Sequence, residues 1–126
     1  MVEATDYAGV FVDGRPGRVQ ELMEEELGLS GLTDPGGVRI GGVEVEVRNN
    51  EIARELARAG DVRPADDFLA WSTLVEIEAP EALIDQMKDL TRRILEKLWE
   101  AGLNAVAACD YEEELPHGGG IELLRK

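Results

Sequence analysis

Apolar and polar positions follow two different periods along this chain. The sharper is the period of two in Val43–Asn49, where Val43, Val45 and Val47 alternate with Glu44, Glu46 and Arg48. Side chains on a strand point alternately to its two faces, so this pattern predicts a strand with one side in a core and one in water. Ser72–Ala79 repeats it, with Thr73, Val75, Ile77 and Ala79 on one face and Glu76 and Glu78 on the other. Tyr7–Val12 and Leu103–Cys109 are short apolar runs that read as strands. The first ends at the turn formers Asp13-Gly14-Arg15-Pro16-Gly17. Val38–Ile40 reads as a short strand joined to Val43–Asn49 through the tight turn Gly41-Gly42.

The other period is helical. Val19, Leu22, Met23 and Leu27 recur at helical spacing over Arg18–Leu27, with Gly28 as the stop. Asn50–Ala59 reads as a short helix through Ile52 and Leu56. Pro80 stands where a helix begins, ahead of the longest one, Glu81–Ala101. Its stripe is Leu83, Met87, Leu90, Ile94, Leu98 and Ala101, widened by Ile84, Leu95 and Trp99. Leu29–Gly37 and Asp61–Asp67 read as loops, Pro116–Gly120 as a flexible stretch, and Ile121–Leu124 as a short final strand.

The order strand, helix, strand, strand, helix, strand predicts an α+β fold of ferredoxin-like βαββαβ type, an antiparallel sheet with two helices on one face. The Glu51–Ala59 helix becomes an insertion between the two middle strands. Residues 1–126 form one domain, the natural expectation for this length. If the two alternating strands are neighbours, Glu44, Glu46, Glu76 and Glu78 share the wet face. Such a fold does not imply a function.

Charge changes this picture most. Asp and Glu number 27 against 13 Lys and Arg, a net −14 spread along the chain. A surface this negative repels nucleic acid and anionic membranes and speeds encounter with a basic protein. The plain alternative is that the charge serves solubility alone. The single cysteine, Cys109, allows no intramolecular disulfide, which suits a reducing compartment. Neither a signal-peptide pattern nor an apolar stretch of about 20 residues appears, so the cytoplasm is the expected location. Arg outnumbers Lys beside abundant Ala, Gly and Val, the composition of a GC-rich bacterial gene.

Candidate chemistry is sparse. One His and one Cys cannot supply most nucleophile–base pairs, and the zinc-protease, serine-hydrolase and EF-hand spacings are absent. The expectation is a protein without catalytic activity and without cofactor or metal. Asp110, Glu112 and His117 form a weak metal or acid–base set, because a zinc site usually takes more nitrogen or sulfur ligands. A solvated loop, or an acidic lip facing a partner and including Glu113, is the simpler reading. Trp71, after Phe68 and Leu69, reads either as an interface anchor or as a cap on the core. Cys109 reads as a small buried residue at a strand end, the usual place of a free cysteine.

Phe68-Leu69-Ala70-Trp71, the acidic strand that follows it, and Ala105-Val106-Ala107-Ala108-Cys109-Asp110-Tyr111-Glu112 together resemble a family of small acidic actinobacterial proteins. Some of these are suspected immunity partners of polymorphic toxins. The resemblance covers the C-terminal half and implies binding, with no catalytic residue carried over. The expected function is therefore an acidic protein-binding module, an immunity protein neutralising a basic toxin by occlusion. Its contacts would be Glu44, Glu46, Glu76, Glu78, Trp71, Asp110, Glu112 and Glu113. A small-molecule-binding or regulatory domain acting as a homodimer is the alternative, and a soluble protein without catalytic activity is a second.

Overall fold

The structure, a computed structural model, describes residues 5–28, 37–60 and 67–124. The expected loops Leu29–Gly37 and Asp61–Asp67 fall outside these residues, except for Gly37 and Asp67. The chain runs β1 (Thr5–Asp13), α1 (Pro16–Leu27), β2 (Val38–Ile40), β3 (Val43–Asn49), α2 (Glu51–Arg58), β4 (Thr73–Pro80), α3 (Ile84–Glu100), β5 (Asn104–Ala108) and α4 (Ile121–Leu124). The five strands form one sheet in the order β2-β3-β4-β1-β5, with every neighbouring pair antiparallel. The class is mixed α and β, and the short Val38–Ile40 strand joins the sheet as a fifth beside the four of the βαββαβ order. No described helix is long and apolar enough to cross a membrane.

The period of two becomes a buried face. Ala8, Val10 and Val12 of β1, the three valines of β3, Val75 and Ile77 of β4, and Ala105 and Ala107 of β5 point to one side. There they meet Val19, Leu22 and Met23 of α1 and Met87, Leu90, Ile94, Leu95 and Leu98 of α3. Burial of a large aliphatic side chain contributes about 1.5–3 kcal/mol each, so this layer is the main source of stability. The predicted stripe of the long helix is the core stripe from Met87 to Leu98, while Ala101 lies past the helix end and is exposed. Its first turn, Glu81–Leu83, is 3-10, and α3 proper begins at Ile84.

The opposite face is not uniformly wet, which corrects the expectation from alternation. Along it the register sets Arg48, Leu74, Phe11 and Val106 side by side across β3, β4, β1 and β5. Phe11, Val106 and Trp71 are buried there in a second apolar cluster, with Phe68, Leu74, Ala108 and Leu124 packed on it. The 3-10 turn Phe68–Ala70 and the C-terminal α4 bring in the cover. Phe68 lies 5.5 Å from the Phe11 ring and 6.4 Å from that of Trp71, tilted and edge-on.

Asn50 holds this cover in place. It is 1% exposed, and its amide donates to the carbonyls of Leu69 (2.9 Å) and Trp71 (2.7 Å). Its Oδ1 accepts from the Ile52 N–H at 3.2 Å and so caps α2.

Ile121–Leu124 is a short helix, not a strand, and Pro116–Gly120 is a packed turn, not a loose tether. His117 to Gly120 all take left-handed φ, between 57° and 109°. This turns the chain over the β5 edge and leaves no open strand for residues 121–124 to pair with.

The candidate carboxylate face

The register fixes the candidate site. Arg39, Glu44, Glu78 and Tyr7 stand in one cross-strand row over β2, β3, β4 and β1. The next row is Glu46, Glu76, Gly9 and Ala108. Glu44 thus faces Glu78 and Glu46 faces Glu76, and the four expected glutamates form one block. A recess of about 140 Å³ lies among Glu44, Val45, Glu46, Glu76 and Glu78. A second, of about 310 Å³, adjoins it between Thr5, Arg39, Gly42, Glu44, Glu78, Ala79 and Pro80.

Two arginines flank the block. Arg39 pairs with Glu44, and Arg48 reaches Glu76 at 3.3 Å. Tyr7 closes the third side and is 49% exposed. Burial and the carboxylates of Glu76 and Glu78 push its phenol above the ordinary value against the pull of Arg48, and Glu76 accepts its hydrogen bond. Sequence reasoning passed over Tyr7 and Arg39. Both were readable by parity, since Tyr7 stands two and four residues before the outward Gly9 and Phe11, and Arg39 lies between inward Val38 and Ile40.

The remaining candidates lie elsewhere. Trp71 is 5% exposed inside the second apolar cluster, so it is a core residue and offers a partner almost no surface; Leu69, at 44%, is the exposed member of that turn. Asp110 and Glu113 are exposed beyond the end of β5. That end lies beside the middle of β1, where Ala108 pairs with Gly9. Glu112 turns inward and accepts the Cys109 N–H at 3.0 Å. Glu114 pairs with Lys88 at 3.0 Å.

The Cys109–His117 segment is anchored, not a solvated lip throughout: Tyr111 and Leu115 are buried in the main core. His117 packs edge-on against Trp99 at 5.5 Å, away from any convergence with Asp110 and Glu112. Among the described residues, no group of three or more His, Cys, Asp or Glu side chains is placed to hold a metal ion. Burial, with Glu112 and Asp110 adding to it, pushes the Cys109 thiol up to about 11. That is opposite to the activation a nucleophilic cysteine needs.

No family model, no curated protein and no solved structure matches this chain.

Proposed function

We propose that this chain is a non-catalytic binding module that receives a basic segment of another protein on the Glu44–Glu46–Glu76–Glu78 block, with Tyr7 as its rim. The observation that carries this reading is the cross-strand opposition of Glu44 to Glu78 and of Glu46 to Glu76. Like charges directly opposed on a sheet cost stability, and a cationic partner would relieve that cost on binding. The complementary charge would also steer encounter at low salt. Neutralising a basic toxin by occlusion is the form of binding this reading favours, in a reducing cytoplasm and without cofactor.

The domain plan we propose is ferredoxin-like. With β2 set aside as an added edge strand and α2 as an insertion, β1-α1-β3-β4-α3-β5 has the βαββαβ order, and α1 and α3 both pack on one face.

The test is a titration of the isotope-labelled protein with an unstructured arginine- and lysine-rich peptide, followed by NMR. Amide shifts concentrated on Tyr7, Glu44, Glu46, Glu76 and Glu78, and lost in the variant with all four glutamates changed to glutamine, support the reading. Shifts spread evenly over the acidic residues of α1 and α3 overturn it.

A further inference from the structure

Tyr7 and Gly9 are two residues apart on β1, so both stand on the side of the sheet that carries the glutamates. A Cβ on Gly9 would lie 3.3 Å from the Tyr7 hydroxyl oxygen and 3.6 Å from Cε1 of its ring. The tyrosine therefore leans along its own strand and lies over a position that carries no side chain. Leu74 Cδ1, 3.3 Å from the same point, closes the seat on the β4 side. The backbone at Tyr7 stands across from Glu78, and the hydroxyl at the far end of the ring is hydrogen-bonded to Glu76, across from Gly9. Held at both ends, the ring runs along the border of the carboxylate block. The residue is 49% exposed, so this border is open to a partner.

The two carboxylates beside the ring are not equivalent. Glu76 is engaged by Arg48 and by the Tyr7 hydroxyl. Glu78 forms no ion pair among the described residues. A cation arriving at Glu78 meets a carboxylate on one side and an aromatic ring on the other. An ammonium and a guanidinium both answer the charge. The guanidinium is flat, so it can stack on a ring while two N–H groups on its edge donate to a carboxylate. An ammonium is a compact, strongly hydrated point charge and gains less from the ring.

We propose that Tyr7, seated over Gly9, makes this surface prefer arginine to lysine in its basic partner, the guanidinium stacking on the ring and donating to Glu78. The inference rests on the reading of the glutamate block as a binding surface, and it adds which cation that surface selects.

The experiment measures binding of two labelled peptides of equal length and charge, one with arginine and one with lysine at every basic position, by fluorescence anisotropy at low salt. The arginine peptide is expected to bind the unaltered protein about two- to fivefold more tightly, the scale of an exposed cation–π contact. Tyr7→Leu removes the ring, and Gly9→Val fills its seat without touching a charge or the tyrosine itself. Each should bring the two peptides to equal affinity while the lysine peptide binds as before. Tyr7→Phe keeps a ring and should keep the preference. Tyr7→Leu alters an exposed side chain and carries the test if Gly9→Val fails to fold. Equal affinities in the unaltered protein, or a preference that survives Tyr7→Leu, overturn the inference and leave the binding surface standing. Binding of neither peptide, or binding that persists with all four glutamates changed to glutamine, removes the surface and this inference together.

Discussion

Glu44 on β3 and Glu78 on β4 face each other directly across the ladder on the open side of the sheet. Arg39 pairs with Glu44, whereas among the described residues no ion pair to Glu78 is formed. Glu78→Gln is therefore expected to stabilise the protein by about 0.2–1 kcal/mol, the scale of one cross-strand pair. Chemical denaturation at low salt checks this, and the gain should shrink as salt screens the repulsion. The same variant should weaken binding of the basic probe. Stability and binding moving in opposite directions separates a binding role from simple solubility, under which neither binding nor its salt dependence would respond.

Asn50 joins two elements through a single side chain. Asn50→Ala removes the α2 cap and leaves the Leu69 and Trp71 carbonyls without the amide that bonds them. A cap alone is worth about 0.5–2 kcal/mol and unmatched buried acceptors add to it, so a loss of about 2–4 kcal/mol is expected. Asn50→Asp keeps the cap acceptor but turns a carboxylate toward two carbonyl oxygens, and it should destabilise at neutral pH and recover in part in acid. Thermal melts at pH 4 and pH 7 read both variants; a neutral Asn50→Ala would show that the turn is held by Phe68 packing alone.

Alkaline pH should loosen the C-terminal side of the core. Burial raises the Cys109 thiol from 9.0 to about 11. Burial likewise raises the Tyr111 phenol from 10.0 to about 12, with the Thr91 hydrogen bond opposing it. Both groups are neutral when protonated, so the folded state binds these protons more tightly than the unfolded chain. Their stabilising contribution is complete below about pH 9 and is lost progressively as pH rises to about 12. Urea midpoints measured from pH 7 to pH 11 should stay level and then fall. Cys109→Ala should delay the onset, and a midpoint that declines evenly from pH 7 would contradict these assignments.

How much of this was legible in the sequence depends on the range of the interactions. Strict alternation in Val43–Asn49 and Ser72–Ala79 carried β3, β4 and the side each glutamate faces, because the period of a strand is local geometry. Whether those glutamates oppose one another depends on register, which is long-range, so the block was legible only on the condition that the strands are neighbours. Trp71 was ambiguous for the same reason: its burial depends on Phe11 and Val106, sixty and thirty-five positions away in sequence. In Pro116–Gly120 the triple glycine signals chain freedom when read alone. In the fold it signals close approach, since Gly120 needs to lie against the Ala105 carbonyl. Nothing in Ile121–Leu124 distinguishes a strand from one turn of helix; the covered β5 edge decides it.

The Thr91–Tyr111 pair tests how the end of the chain is tied to α3. Thr91 Oγ1 lies 2.8 Å from the Met87 carbonyl and 2.9 Å from the Tyr111 hydroxyl, all buried. A threonine hydroxyl has one hydrogen, and the carbonyl can only accept, so Thr91 donates to Met87 and Tyr111 donates to Thr91. Tyr111→Phe then removes a donor and leaves Thr91 short of one partner, an expected loss of about 1 kcal/mol. Thr91→Val is the harsher change, because it leaves the buried phenol hydroxyl with only the Cys109 side chain beside it, at about 1–3 kcal/mol. The double variant removes both polar groups from the core and should lose less than the two singles combined. A double-mutant cycle by urea denaturation measures this coupling, with about 0.5–3 kcal/mol expected for residues in contact. Additive losses would mean that the hydroxyls do not meet, and that Tyr111 holds the C-terminal segment by its ring alone.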